Sequence, residues 1–127
     1  GYGGGSRKLT VTKSGDKWEV KEDWRSTRLK PKFNDVAVKD GFVYGLDEGV
    51  LTCVEVKTGK PRWKDGRYGY GQLVLAGDHL VVLSDEGFAA VVAASPDGYD
   101  ELGRFRALDG KTWNHPILYH GRLYVRN

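Results

Sequence analysis

Short apolar runs broken by glycine turns recur along this chain. The segments between turns are rich in Val, Leu, Tyr and Phe, the composition of strands. Leu80-Val81-Val82-Leu83 and Ala89-Ala90-Val91-Val92-Ala93-Ala94 are continuous apolar runs, which suit strands buried on both faces. The alanine-rich run is short and bounded by Gly87 and Pro96, so it reads as strand rather than helix. No longer segment carries helical periodicity. The pattern predicts twelve strands: 8–12 and 17–24; then 34–38, 42–46, 50–56 and 61–64; then 72–76, 79–84, 88–94 and 99–106; and last 115–118 and 122–126.

The turns repeat. Asp35–Leu46, Leu73–Leu83 and Ile117–Val125 each read as strand, glycine turn, strand, with Gly41, Gly77 and Gly121 spaced 36 and 44 residues apart. Asp47-Glu48-Gly49 recurs as Asp85-Glu86-Gly87, 38 residues on. Thr58-Gly59 is matched by Asp97-Gly98 and by Ser14-Gly15 upstream, and Asp65-Gly66 by Asp109-Gly110. Glycine accepts positive φ at little cost, and Asx-Gly or Ser-Gly pairs favour hairpin turns. Four turns per period of about 40 residues fit four short strands per unit, the spacing of β-propeller blades. The expected fold is therefore all-β, with blades of four antiparallel strands and three blades per chain. The divisions are a half blade at 1–28, whole blades at 29–66 and 67–110, and a complementary half blade at 111–127.

Composition narrows the classes. The 127 residues suffice for one domain with a real core. Eighteen glycines against four prolines suit tight turns rather than a disordered linker. Methionine is absent, which suggests a trimmed or engineered piece of a longer parent. No apolar run is long enough for a membrane-spanning helix. The net charge of +3 is mild, and the densest basic stretch (Arg25, Arg28, Lys30, Lys32) reads as a solvated loop rather than a nucleic-acid face. The single Cys53 excludes an intrachain disulfide and, in its apolar run, reads as a small buried side chain.

Cys53-Val54-Glu55-Val56-Lys57-Thr58-Gly59-Lys60-Pro61-Arg62-Trp63 resembles the tryptophan-docking motif of the pyrroloquinoline-quinone-type, or quinoprotein-like, β-propeller repeat family. Thr58, Gly59, Lys60 and Trp63 match the motif, while Cys53 stands for the usual Ala and Glu55 for the usual Asp. The resemblance implies that Trp63 packs between blades and that the Thr58-Gly59 turn joins the two outer strands. In the other copies, Leu102 and Phe105, or Trp18 and Trp24, would supply the bulky packing groups. Tyr44–Gly49 and Lys111–Pro116 look like phrases of bacterial propeller proteins of this class, many of them secreted or periplasmic, so such a parent is expected. Catalysis does not carry over. Quinoprotein alcohol dehydrogenases use an adjacent cysteine pair and a calcium site. This chain has one cysteine and no calcium-loop pattern, and Asp47-Glu48 and Asp85-Glu86 read as turn acids. No cofactor is expected. A better compositional match is the propeller lipoprotein of the outer-membrane β-barrel assembly machinery, a scaffold with the repeat and no quinone.

Two clusters are candidates for a ligand or partner face. Trp113-Asn114-His115-Pro116 combines an aromatic, an amide and an imidazole just before an inner strand, where His115 could serve as a general base or binding group. Tyr68 and Tyr70, in Tyr68-Gly69-Tyr70-Gly71-Gln72, also precede a first strand and are expected on the same face. His79 and His120 lie by hairpin turns and are expected to be exposed, with no metal site. Gly1-Tyr2-Gly3-Gly4-Gly5-Ser6 lacks the ending of a phosphate loop and reads as a turn joining two strands of the split blade. Three blades leave open edges, and propellers close with about four to eight or more. The expected partner is therefore the chain itself, as a homodimer giving six blades or, alternatively, a homotrimer giving nine. The expected function is a non-enzymatic, self-assembling propeller scaffold that offers a face to a protein partner. The alternative is a quinoprotein-like oxidoreductase fragment or ligand-binding propeller using the Trp113–His115 face.

Overall fold

A computed structural model describes residues 4–127. Among the described residues there is no helix, and twelve strands form four antiparallel sheets. β1 (Ser6–Ser14) pairs with β2 (Lys17–Ser26). A four-stranded meander follows in chain order: β3 (Ala37–Lys39), β4 (Phe42–Asp47), β5 (Val50–Glu55) and β6 (Pro61–Arg67). A second consists of β7 (Gln72–Ala76), β8 (His79–Leu83), β9 (Phe88–Ala93) and β10 (Glu101–Arg106). β11 (Ile117–Tyr119) pairs with β12 (Arg122–Tyr124).

Each of the twelve expected strands has its counterpart, the one at 72–76 with the same bounds and the others with shifted ones. The strand expected at 34–38 begins at Ala37, because Asn34 is engaged before it: its side chain accepts from Lys32 N–H at 3.0 Å and donates to Gly71 C=O at 3.1 Å. The strand expected from 115 begins at Ile117, after a proline that has no N–H to donate. β1 and β2 are longer than expected, and pairing continues past a bulge between Lys8 and Leu9 to Ser6 opposite Ser26. The turn expected over Gly1–Ser6 lies partly outside the described residues, and Ser6 already opens β1. The tight hairpin turns Asp40-Gly41, Glu48-Gly49 and His120-Gly121 hold both residues at positive φ, the geometry that matches strand twist.

The core lies between the two four-stranded sheets. Tyr44, Leu46, Leu51 and Cys53 of one face Leu73, Leu80, Val82, Ala90 and Val92 of the other, with Tyr68 between them. Cys53 is buried, as its apolar run predicts. The first strands of successive sheets stand side by side, β3 beside β7 and β7 beside β11. The two short sheets lie at opposite ends of this series, and among the described residues neither pairs with the other. Among the described residues no helix is long and apolar enough to cross a membrane.

Candidate functional site

The docking motif is a set of local bonds ending in a long-range one. Gly59, at φ 74°, closes the turn between β5 and β6. Its N–H donates to Glu55 C=O at 2.8 Å, and Lys60 C=O accepts from Glu55 N–H at 2.8 Å. Thr58 Oγ1 donates to the Glu55 carboxylate at 2.7 Å and accepts from Lys60 N–H at 3.2 Å. The turn thereby aims Trp63 at the next sheet, where its indole N–H donates to Ser95 C=O at 2.8 Å. The ring packs against Tyr44 and Tyr99, with centroids 6.1 and 5.8 Å away. Trp24 repeats the arrangement one sheet earlier, donating to Val56 C=O at 2.7 Å; both bonds reach 32 residues ahead. Of the other side chains expected to fill this role, Trp18, Leu102 and Phe105 are exposed.

The loops leading into the first strands converge on Gln72, a buried residue of the stretch that carries Tyr68 and Tyr70. Its side-chain nitrogen donates to Phe33 C=O at 3.0 Å and Trp113 C=O at 3.3 Å, tying three successive loops together. Its oxygen lies 3.5 Å from His115 Nδ1, which is also 3.8 Å from the Asp35 carboxylate. Asn114 takes its backbone N–H to Thr112 Oγ1 and its side-chain amide to Arg126 C=O, both at 3.4 Å, while the Trp113 ring is exposed. Tyr70 is exposed beside Lys32, whose ammonium lies 3.3 Å from its hydroxyl. The structure thus gathers His115, Gln72 and Asp35. Gln72 and Asp35 were not singled out by residue type, since a lone amide or acid before a strand carries no signal of its own.

Tyr68 is not part of that cluster. It points into the core, where its hydroxyl donates to Glu101 at 2.9 Å and meets the Tyr99 hydroxyl at 2.6 Å. Burial, reinforced by these bonds, holds its phenol well above the ordinary range. Arg104, donating to Glu101 at 2.7 Å, holds that carboxyl below its ordinary value. The turn acid Asp47 is buried and satisfied, by Lys30 N–H at 2.8 Å and the Lys64 ammonium at 2.6 Å. Among the described residues no three His, Cys, Asp or Glu side chains are grouped as a metal site. His79 and His120 are exposed.

An open groove of about 440 Å³ lies between β1 and the start of the following sheet, lined by Lys8, Trp24, Leu29, Val36, Val38 and Val43. Along it β1 has no partner other than β2 among the described residues. At the far end of the chain, β11–β12 carries Ile117 and Tyr124 as a cross-strand pair, exposed at 62% and 51%. Cross-strand partners share a face of the sheet, so these two form one apolar surface. Compared with known proteins, the chain matches no family model and no curated protein.

Proposed function

We propose that this chain is a non-enzymatic scaffold that assembles with copies of itself into a closed β-propeller, two chains giving six blades. The observation that carries the reading is the division of the sheets. Two complete four-stranded meanders stand between two two-stranded sheets, and their first strands lie side by side. In a propeller the first strands of the blades surround the axis, so β3, β7 and β11 would be the inner strands of three consecutive blades. Trp24 and Trp63 would be the repeated blade-to-blade clamps. The resemblance of Thr58-Gly59-Lys60 and Trp63 to quinoprotein-like repeats supports the same reading. The lone Cys53 is fully buried, so it offers no thiol to a bound quinone. The face bearing Tyr70, Trp113 and His115 would be available to a protein partner.

The solution mass tests this. Twice the single-chain mass of 14.1 kDa supports the six-bladed ring, and three times that mass supports closure with nine blades instead. A single-chain mass at micromolar concentration overturns the assembly. Incubation with pyrroloquinoline quinone and calcium tests the scaffold separately: a retained chromophore that alcohol or sugar reduces would replace it with an oxidoreductase.

A further inference from the structure

We infer that the groove beside β1 is the seat of β11–β12 from a second copy of this chain, with β12 adding to the free edge of β1. The inference rests on the propeller reading above and names the clasp that closes the ring. Three observations carry it.

The first is that a chain cannot close this sheet on itself. β1–β2 docks on β3–β6 through Trp24 and Val56. β11 lies beside β7, two sheets further on. The complete sheets stand between the two incomplete ones, so β11–β12 of the same chain does not reach β1, and a second copy can bring it there.

The second is register. Lys8 lies opposite Trp24 as Cys53 lies opposite Trp63, and the two tryptophans make the same bond to the next sheet. Lys8 therefore occupies in its sheet the place of Cys53. Around the His120-Gly121 turn, Tyr119, Leu118 and Ile117 face Arg122, Leu123 and Tyr124, as Lys39, Val38 and Ala37 face Phe42, Val43 and Tyr44 around Asp40-Gly41. Tyr124 therefore occupies the place of Tyr44. Tyr44 pairs with Cys53, so Tyr124 of one copy pairs with Lys8 of the other.

The third is burial. Tyr44 and Ala37 fill the space against the following sheet and are 1% and 9% exposed, whereas Tyr124 and Ile117 at the same places are open to solvent. The groove is walled by Leu29, Val36, Val38 and Val43, an apolar lining that accepts those two side chains. Burying them and pairing the β1 edge removes both an exposed apolar surface and an unpaired strand edge.

Opposed residues of an antiparallel ladder have Cα atoms about 4.5–5.5 Å apart, within disulfide reach. Separate Lys8→Cys and Tyr124→Cys chains are mixed, oxidised and run without reductant; buried Cys53 serves as an internal control. The expected result is a covalent two-chain species in the mixture that is absent from either variant alone. No such species from a mixture whose mass is that of the assembled ring overturns the clasp and leaves the ring standing. A single-chain mass before oxidation overturns both. Tyr124→Asp, at a position exposed in the isolated chain, is expected to shift the mass to that of one chain without lowering the chain's content of strand. An unchanged assembled mass overturns the clasp.

Discussion

Trp24 packs its indole ring onto Gly59: a Cβ built on that glycine would lie 2.8 Å from Cδ2 and Cε3 of the ring. The turn glycine of the docking motif is thus also the seat of the preceding sheet's clamp. Gly59 has φ 74°, so a side chain there meets two obstacles at once. Gly77 has φ 59° but nothing within 4 Å of a built Cβ. Gly77→Ala is expected to cost about 1 kcal/mol, the left-handed backbone alone. Gly59→Ala is expected to cost about 1–3 kcal/mol more, because Trp24 must move. Urea unfolding at matched slopes measures the difference. Equal losses would mean that Trp24 is not held at this turn.

The two clamps make the same bond, 2.7 Å for Trp24 and 2.8 Å for Trp63, so they should respond alike to losing it. Trp→Phe at either site keeps most of the ring and removes the donor, with an expected loss of about 1 kcal/mol. Trp63→Ala also empties the space between Tyr44 and Tyr99 and should cost about 3 kcal/mol or more. Thermal unfolding of the three variants separates the bond from the packing. A Trp63→Phe variant as damaged as Trp63→Ala would show that the bond, not the ring, carries the docking.

Alkaline pH should unfold the protein through its buried acids. Burial pushes the Cys53 thiol from 9.0 up to about 11. Burial likewise raises the Tyr44, Tyr68 and Tyr99 phenols. For a raised pKa the unfolded chain ionises first, so the contribution is whole below pH 9 and is lost as pH rises toward the folded value near 11. Stability by urea unfolding should be flat through neutrality and fall from about pH 9 upward. Cys53→Ala should delay the onset of the fall, leaving only the phenols. A folded chain whose Cys53 reacts with a thiol reagent at pH 8 as fast as the denatured chain would contradict the burial argument.

Gln72→Leu should destabilise the chain by about 1–3 kcal/mol, since the carbonyls of Phe33 and Trp113 lose a buried donor. His115→Ala should cost less than about 0.5 kcal/mol, because its contacts with Gln72 and Asp35 are long and partly exposed. Amide exchange at residues 33–36 and 113–116 is the sharper readout. Gln72→Leu should speed exchange in both loops, and unchanged exchange would remove Gln72 from its joining role.

The strands were legible because their boundaries are local chemistry. Asp40-Gly41, Glu48-Gly49 and His120-Gly121 announce turns that need positive φ, and the turns deliver it. Trp63 was legible by its spacing from Thr58-Gly59, but its acceptor was not, since Ser95 is brought to it by the next sheet. The length of β1–β2 escaped because the residues it adds, Ser6, Arg7, Lys13, Ser14, Arg25 and Ser26, are all polar and extend no apolar alternation. Tyr68 and Tyr70 look equivalent beside their glycines. Only packing separates them, with Tyr99 and Glu101 drawing Tyr68 inward from about thirty residues away. Gln72 joins loops distant in the chain, and no pattern around it records that.

The two two-stranded sheets are not alike. In the proposed ring one would lack its inner strands and the other its outer ones. Contact between copies in that ring would therefore have a polarity, with a giving end and a receiving end on every molecule, and two identical patches meeting face to face would complete neither sheet. Rings built this way hold only junctions of one kind, with no special first or last subunit. In the proposed two-chain ring, a chain cut short after β10 would receive its neighbour but give nothing back, leaving one of the two junctions open.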